Sequence, residues 1–280
     1  MPAKPKPCKV QFMTYHSHSI LSRFSIAGGL LLWLAATPGV AEPSAAATAG
    51  FNTYINGVEA RLVQQHRAPA SFVAASQQNE PRLRRGELIV ERLTPAAGPT
   101  LPGAMLHHWR GTAFAPGATA ADFERLMRNF NAYPRYYAPQ VVQAKVLGAD
   151  HDRMWARMRV RQRHVITVVM DTSYEIAFGR LDARHGFSAS RSTRIDEIDA
   201  PGTAAEHALN PGQEHGFLWR LNTYWSYEER DGGLYMQIES VSLSRSIPTG
   251  LGWAVGPFVE SVPRESLEFT LRSTCNALRR

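Results

Sequence analysis

Cysteine is nearly absent: Cys8 and Cys275 are the only two in 280 residues. Cys8 precedes an apolar run that reads as an export signal. The chain beyond it therefore keeps one thiol and cannot form an internal disulfide, so the domain must stand on its hydrophobic core. Cys275 falls on the apolar side of the last helix, the setting of a buried, inert thiol. Lysine is just as scarce, Lys145 being the only one after residue 41. Chemistry-bearing motifs are missing too. No H-E-x-x-H and no zinc-type Cys/His spacing occurs, and the adjacent His107 and His108 point to opposite faces of a strand, so neither metal nor cofactor is expected. There is no G-x-S-x-G elbow. Gly250–Gly256 has the spacing G-x-G-x-x-x-G without a following βαβ unit, which excludes a dinucleotide loop.

What is present begins with an N-terminal signal. Lys4, Lys6, Lys9 and Arg23 precede the apolar run Ile26–Ala36, and Gly39-Val40-Ala41 offers small residues for cleavage. The run falls short of the roughly 20 residues of a membrane span. Residues 1–41 are expected to be a signal peptide and the protein to be exported, periplasmic or secreted; an uncleaved anchor is the alternative. Without this segment the chain keeps 27 basic and 24 acidic residues, a net charge of +3. The high pI thus belongs partly to the signal and argues for no nucleic-acid partner.

Residues 42–103 read as a small-residue linker (42–50) and an extension. In the extension Tyr54, Ile55, Val58 and Leu62 have helical spacing and Glu87–Leu93 reads as a strand. Its role is open, a cap over a pocket mouth being one possibility. The main domain, 104–280, starts with strand Leu106–Phe114. Helix Ala118–Phe130 follows, with Thr119 as N-cap and Asp122 three residues on. Strands are expected at Val141–Leu147, Met154–Arg161, Ile166–Phe178, Phe187–Ile195, Phe217–Glu228 and Leu234–Ser244. A helix from near Ser261 to Leu278 ends the chain.

That order, a seven-stranded meander delivering a long helix back across itself, encloses a pocket. A two- or four-residue turn in the last hairpin pairs Glu229 with Leu234. One face then collects Trp219, Leu221, Thr223, Trp225 and Tyr227 with Met236, Ile238, Ser240, Ser242 and Ser244. The other collects Arg220, Asn222, Tyr224, Ser226 and Glu228 with Gln237, Glu239, Val241 and Leu243. The first set is uncharged and should face the helix, and its small hydroxyls opposite larger side chains suit a ligand site. The opposite wall should come from Met158, Met170 and Tyr174, and the roof from Leu267 and Leu271. Trp253, ahead of the helix, is a candidate gate.

Phe130–Val146 resembles the short-helix-to-strand passage of polyketide-cyclase and coenzyme-Q-binding proteins. Arg245–Leu278 resembles the last strand, loop and helix of the same group. On these stretches residues 104–280 are similar to the START / Bet v 1-like helix-grip superfamily. The resemblance implies an α+β fold: a curved antiparallel sheet gripping its C-terminal helix, with a ligand tunnel between. The function expected is binding or carriage of a hydrophobic small molecule such as a lipid, quinone or polyketide-like compound. A cyclase, aromatase or hydrolase using the same pocket is the enzymatic alternative. A third reading is an envelope interaction module in which Arg82–Arg85 and the row Arg157, Arg159, Arg161 and Arg163 touch an anionic membrane surface.

Overall fold

The turn at Asp231-Gly232 sets the register from which the rest of the sheet can be read. Both residues take positive φ, 58° and 73°, the left-handed pair demanded by a two-residue hairpin turn of the favoured twist. Arg230 therefore pairs with Gly233 and Glu229 with Leu234, as the sequence predicts. The computed structural model describes residues 42–74, 78–94, 101–163, 167–210, 212–247 and 252–279, with the backbone alone for 252–260. The expected signal, residues 1–41, lies outside the described residues.

The element order is α1 (Ala45–Gln65), α2 (Glu80–Arg84), β1 (Ile89–Arg92), β2 (Ala104–Pro116), α3 (Ala120–Arg128), α4 (Tyr133–Tyr136), β3 (Val141–Asp150), β4 (Arg153–Arg163), β5 (Thr167–Arg180), β6 (His185–Asp199), β7 (His207–Ala208), β8 (Arg220–Arg230), β9 (Gly233–Arg245) and α5 (Gly252–Leu278). The strands form one antiparallel sheet in the order β1-β2-β9-β8-β6-β5-β4-β3, with β7 paired to β6. This is the helix-grip arrangement: the first strand of the domain lies beside the last, and the C-terminal helix crosses the face between them. The seven expected strands are all there. The count rises to nine because β1 of the extension joins the edge of β2 and a two-residue β7 adds to β6.

Local chemistry explains the helix ends. Thr119 caps α3 through a reciprocal box: its hydroxyl accepts from the Asp122 N–H at 3.1 Å and the Asp122 carboxylate accepts from the Thr119 N–H at 3.1 Å. Two boundaries differ from the sequence reading. The small residues after Ser44 are helical, not linker. Alanine is the best helix former, and the Ser44 hydroxyl accepts from the Ala47 N–H at 3.1 Å to start α1. At the other end α5 begins at Gly252, well before Ser261. Its backbone stays helical through Pro257 and Pro263, residues that normally stop a helix by removing a donor and crowding the preceding turn.

Each face of the sheet has its own cover. Leu267, Leu271 and Cys275 of α5 pack with Ala113, Ala115, Trp225, Tyr227, Met236 and Ile238 on one side, together with Phe123, Leu126 and Met127 of α3. On the other side Phe51, Ile55, Val58 and Leu62 of α1 pack against Leu106, Tyr224, Val241 and Leu243. Within the extension, α1 therefore covers the back of the sheet, while Leu88 and Val90 at its edge strand pack against the front cluster. Spacings of four, three and four residues make those α1 positions one stripe.

Candidate functional site

Alternation along the paired strands decides which side chains look toward α5. Thr223 stands opposite Ser240 and Leu221 opposite Ser242; across β2, Trp109 stands opposite Ser240 and His107 opposite Ser242. On β6 the register sets Ser188 opposite Trp225 and Ser190 opposite Thr223, adding hydroxyls that the sequence reading did not assign to the wall. Met158 pairs with Thr172, Val160 with Met170 and Ala156 with Tyr174, completing a face of apolar side chains and small hydroxyls.

This face is packed at two flanks and accessible between them. Trp225, Met236, Ile238, Leu267 and Leu271 are buried in the α3–α5 cluster, so they form a solid core at one end. Tyr174 is buried with Phe130, Met154, Ala156 and Ile176 at the other, and Met170 and Ser242 are buried as well. Leu221, Thr223, Ser240 and Met158 are only half-buried, as are Trp109, Ser190 and Ser192. The accessible patch is thus lined by part of the expected set and by Trp109, Ser190 and Ser192 besides. The sequence reading traced the inner face along the last hairpin and along β4 and β5 and did not extend it to β6, whose pairing with β8 is a long-range contact that alternation within one strand does not report.

Two expected wall residues lie elsewhere. Trp219 precedes the first residue of β8, where strand alternation no longer fixes direction. It is buried in the α1 cluster behind the sheet with Leu106, Tyr224 and Leu243. Trp253 belongs to the first turn of α5, not to a preceding loop, and its side chain lies outside the described residues.

Electrostatically the inner face is quiet. Burial pushes the Tyr174 phenol up to about 12, against a hydrogen bond with Thr172 that lowers it. Burial also raises Tyr133 and Tyr137. The Tyr137 hydroxyl lies 3.0 Å from Thr274 Oγ1 on α5, and Thr274 itself donates to the Thr270 carbonyl, so Tyr137 is the donor. Glu197, set opposite Met170, is the buried carboxylate of this face among the described residues. Its oxygens accept from the N–H groups of His215, Gly216 and Phe217 at 2.9, 2.9 and 3.0 Å and from His215 Nδ1 at 2.9 Å. That carboxylate holds a loop and has little capacity left for chemistry.

The back face carries the charge. Glu239 is fully buried and points away from α5, as parity requires, yet it does not meet solvent. Arg61 from α1 pairs with it, His108 Nε2 lies 3.0 Å away and Gln237 donates at 3.0 Å. Burial alone would raise its pKa, but the hydrogen bonds from His108 and Arg61 and the charge of Arg61 hold it below the usual carboxylate range. The Tyr54 hydroxyl lies 2.9 Å from His108 Nδ1. A cleft of about 550 Å³ opens beside this network, lined by Tyr54, Gly57, Arg61, Leu93, His108 and Arg110 among others. Its charges are already matched, Arg61 with Glu239 and Arg110 with Glu91 at 2.9 Å; the arrangement fastens α1 to the sheet.

Surface arginines pair in the same way. Arg82 and Arg85 meet Glu87, and Arg84 meets Asp231. Arg157 and Arg159 share the buried Asp171 at 2.8 and 2.7 Å, and Arg159 also reaches Glu206 at 2.6 Å. Arg161 and Arg163 are exposed.

No protein-family model matches this sequence, and no curated protein matches it. Among solved structures it is similar to the STAR-related lipid transfer protein of Xanthomonas axonopodis (17% identity, 68% of this chain and 99% of that one, TM-score 0.40). It is also similar to human STARD10 (8%, 72% and 80%, 0.41) and to the Zhui aromatase/cyclase of Streptomyces sp. R1128 (13%, 63% and 95%, 0.41). At these identities and scores the likenesses add no argument about activity. Strand order and helix placement establish the fold by themselves: this is a helix-grip fold.

Proposed function

We propose that this protein binds and carries a hydrophobic small molecule between the inner face of the sheet and α5, and that it does so after export. The observation that carries the reading is the half-buried patch of Trp109, Leu221, Thr223, Ser240 and Met158 between two packed flanks. A sheet face wholly committed to a core would bury those positions as it buries their neighbours. Apolar walls with a few hydroxyls are the composition of a small-molecule site. The driving force is removal of apolar area from water, about 25 cal/mol per Å², and methionine adapts to irregular guests. Export rests on the basic-then-apolar N-terminus.

The enzymatic reading draws less support, because Glu197 spends its oxygens on four N–H groups. Native mass spectrometry after gentle purification tests the carrier reading: a bound apolar molecule, or uptake of a lipophilic fluorescent probe with micromolar affinity, is expected. A protein that is empty and takes up no such probe overturns it.

A further inference from the structure

The two faces of the central strands treat buried polar atoms differently. Behind the sheet, Gln237, Glu239, His108, Asn222 and Ser226 are buried and every one of them is hydrogen-bonded. In front, Trp109 Nε1 and Ser244 Oγ are buried with no partner in the protein, and among the described residues they are the only such side-chain atoms. Both sit on the adjacent strands β2 and β9, at positions facing α5. Buried donors are costly to leave unmatched and are rare in native proteins, so their confinement to the face with the accessible patch points to what that patch receives.

An indole N–H can only donate; its partner must be an acceptor. The positions around it, Met105, His107, Gly111, Leu221, Thr223, Ser240 and Ser242, hold no lysine, arginine or carboxylate, and His107 is the one titratable side chain among them. An ionised headgroup placed there would lose its hydration and gain no permanent counter-charge. From this we infer that the molecule carried is an uncharged apolar compound bearing a carbonyl oxygen (a ketone, ester or quinone), and that Trp109 Nε1 donates a hydrogen bond to that oxygen. The Ser244 hydroxyl, four residues from Ser240 and so roughly 13 Å along β9, serves a second oxygen in a longer ligand. The inference rests on the carrier reading and narrows it to one chemical class.

Displacement of diphenylhexatriene from the full chain by 2-pentadecanone, pentadecane and myristate measures this preference directly. The ketone is expected to bind at least tenfold tighter than the alkane and tighter than the ionised fatty acid. Trp109→Phe is expected to abolish the tenfold margin and leave pentadecane unchanged. Equal affinities in the wild type, or a margin that survives Trp109→Phe, overturn the inference and leave the carrier reading standing. Failure of the wild type to take up diphenylhexatriene or any of the three competitors sinks both. Isotope-edited infrared spectroscopy of the carbonyl-labelled ketone decides the matter even if the variant does not fold: bound to the wild type its stretch is expected to move to lower frequency than in hexane, and an unshifted band overturns the assignment.

Discussion

Leu271 of α5 lies directly over Gly111 of β2: a Cβ built at Gly111 would stand 2.6 Å from Leu271 Cδ1 and 3.1 Å from Leu267 Cδ2. The missing side chain lets the helix approach the sheet. Gly111→Val is therefore expected to lift or shift the helix at a cost of about 1–3 kcal/mol, the range for overpacking a filled interior. Urea unfolding checks it; an unchanged midpoint would mean that the helix does not sit so close.

Acidification is expected to loosen α1 through two groups. Burial, between the Phe72 and Phe187 rings, pushes His66 from 6.5 down to about 4. The unfolded chain thus binds the extra proton first, and stability present above pH 6.5 is lost as pH falls toward 4. Glu239 is held below its ordinary value, so its contribution is present above about 4.5 and is lost as pH falls through the lower folded value. For His66, which is half-buried, the loss should be on the order of 1–2 kcal/mol after solvent screening. His66→Gln is expected to flatten the stability profile between pH 4 and 6.5, measured by urea midpoints across that window.

Gly232 has φ of +73°, in the region that costs a residue with a Cβ roughly 1–2 kcal/mol. Gly232→Val should destabilise by at least that amount, because β-branching adds to the strain. Thermal melting reads the loss; a melting temperature equal to wild type would show that the hairpin does not depend on this turn.

Residues 104–280 contain the whole helix-grip domain, yet the chain beginning there is expected to be insoluble or unfolded. Without α1, Val241 and Leu243, both fully buried, would meet water, and Glu239 would lose Arg61. Expression of this fragment beside 42–280, followed by circular dichroism, distinguishes the two cases. A folded, monomeric fragment would show that the extension is an accessory.

Filling the inner face should separate binding from folding. Ser240→Phe places a ring in the accessible patch, so it is expected to lower uptake of a lipophilic probe more than tenfold while changing stability by less than about 1–2 kcal/mol, since no packed neighbour must move. A large loss of stability would mean that the space is already filled.

The fold was legible because its signals are local. Alternation in Met154–Val160 and around Thr223 and Ser240, the Asp-Gly turn and the Thr119 cap each determine their geometry over a few residues, and the hairpin register followed to the residue. Long-range features were not. That Glu239 would be buried depends on α1, 178 residues away in sequence at Arg61, and no periodicity in β9 reports it. Parity placed Glu239 away from α5 but could not say what covers it, because polar side chains paired with one another look, in sequence, like polar side chains facing water. Trp219 was misplaced by extending strand alternation past the strand's end, and the β6 serines were missed because alternation within one strand does not say that β6 neighbours β8.

Two helices from opposite ends of the chain shield the two sides of one sheet, and they share no cluster of buried residues. The rear shield stays in place whatever the front one does. Parting α5 from β2 would bare only the residues it touches, while the salt-linked rear half still ties the strands to α1, so the front of the sheet can open without the sheet coming apart.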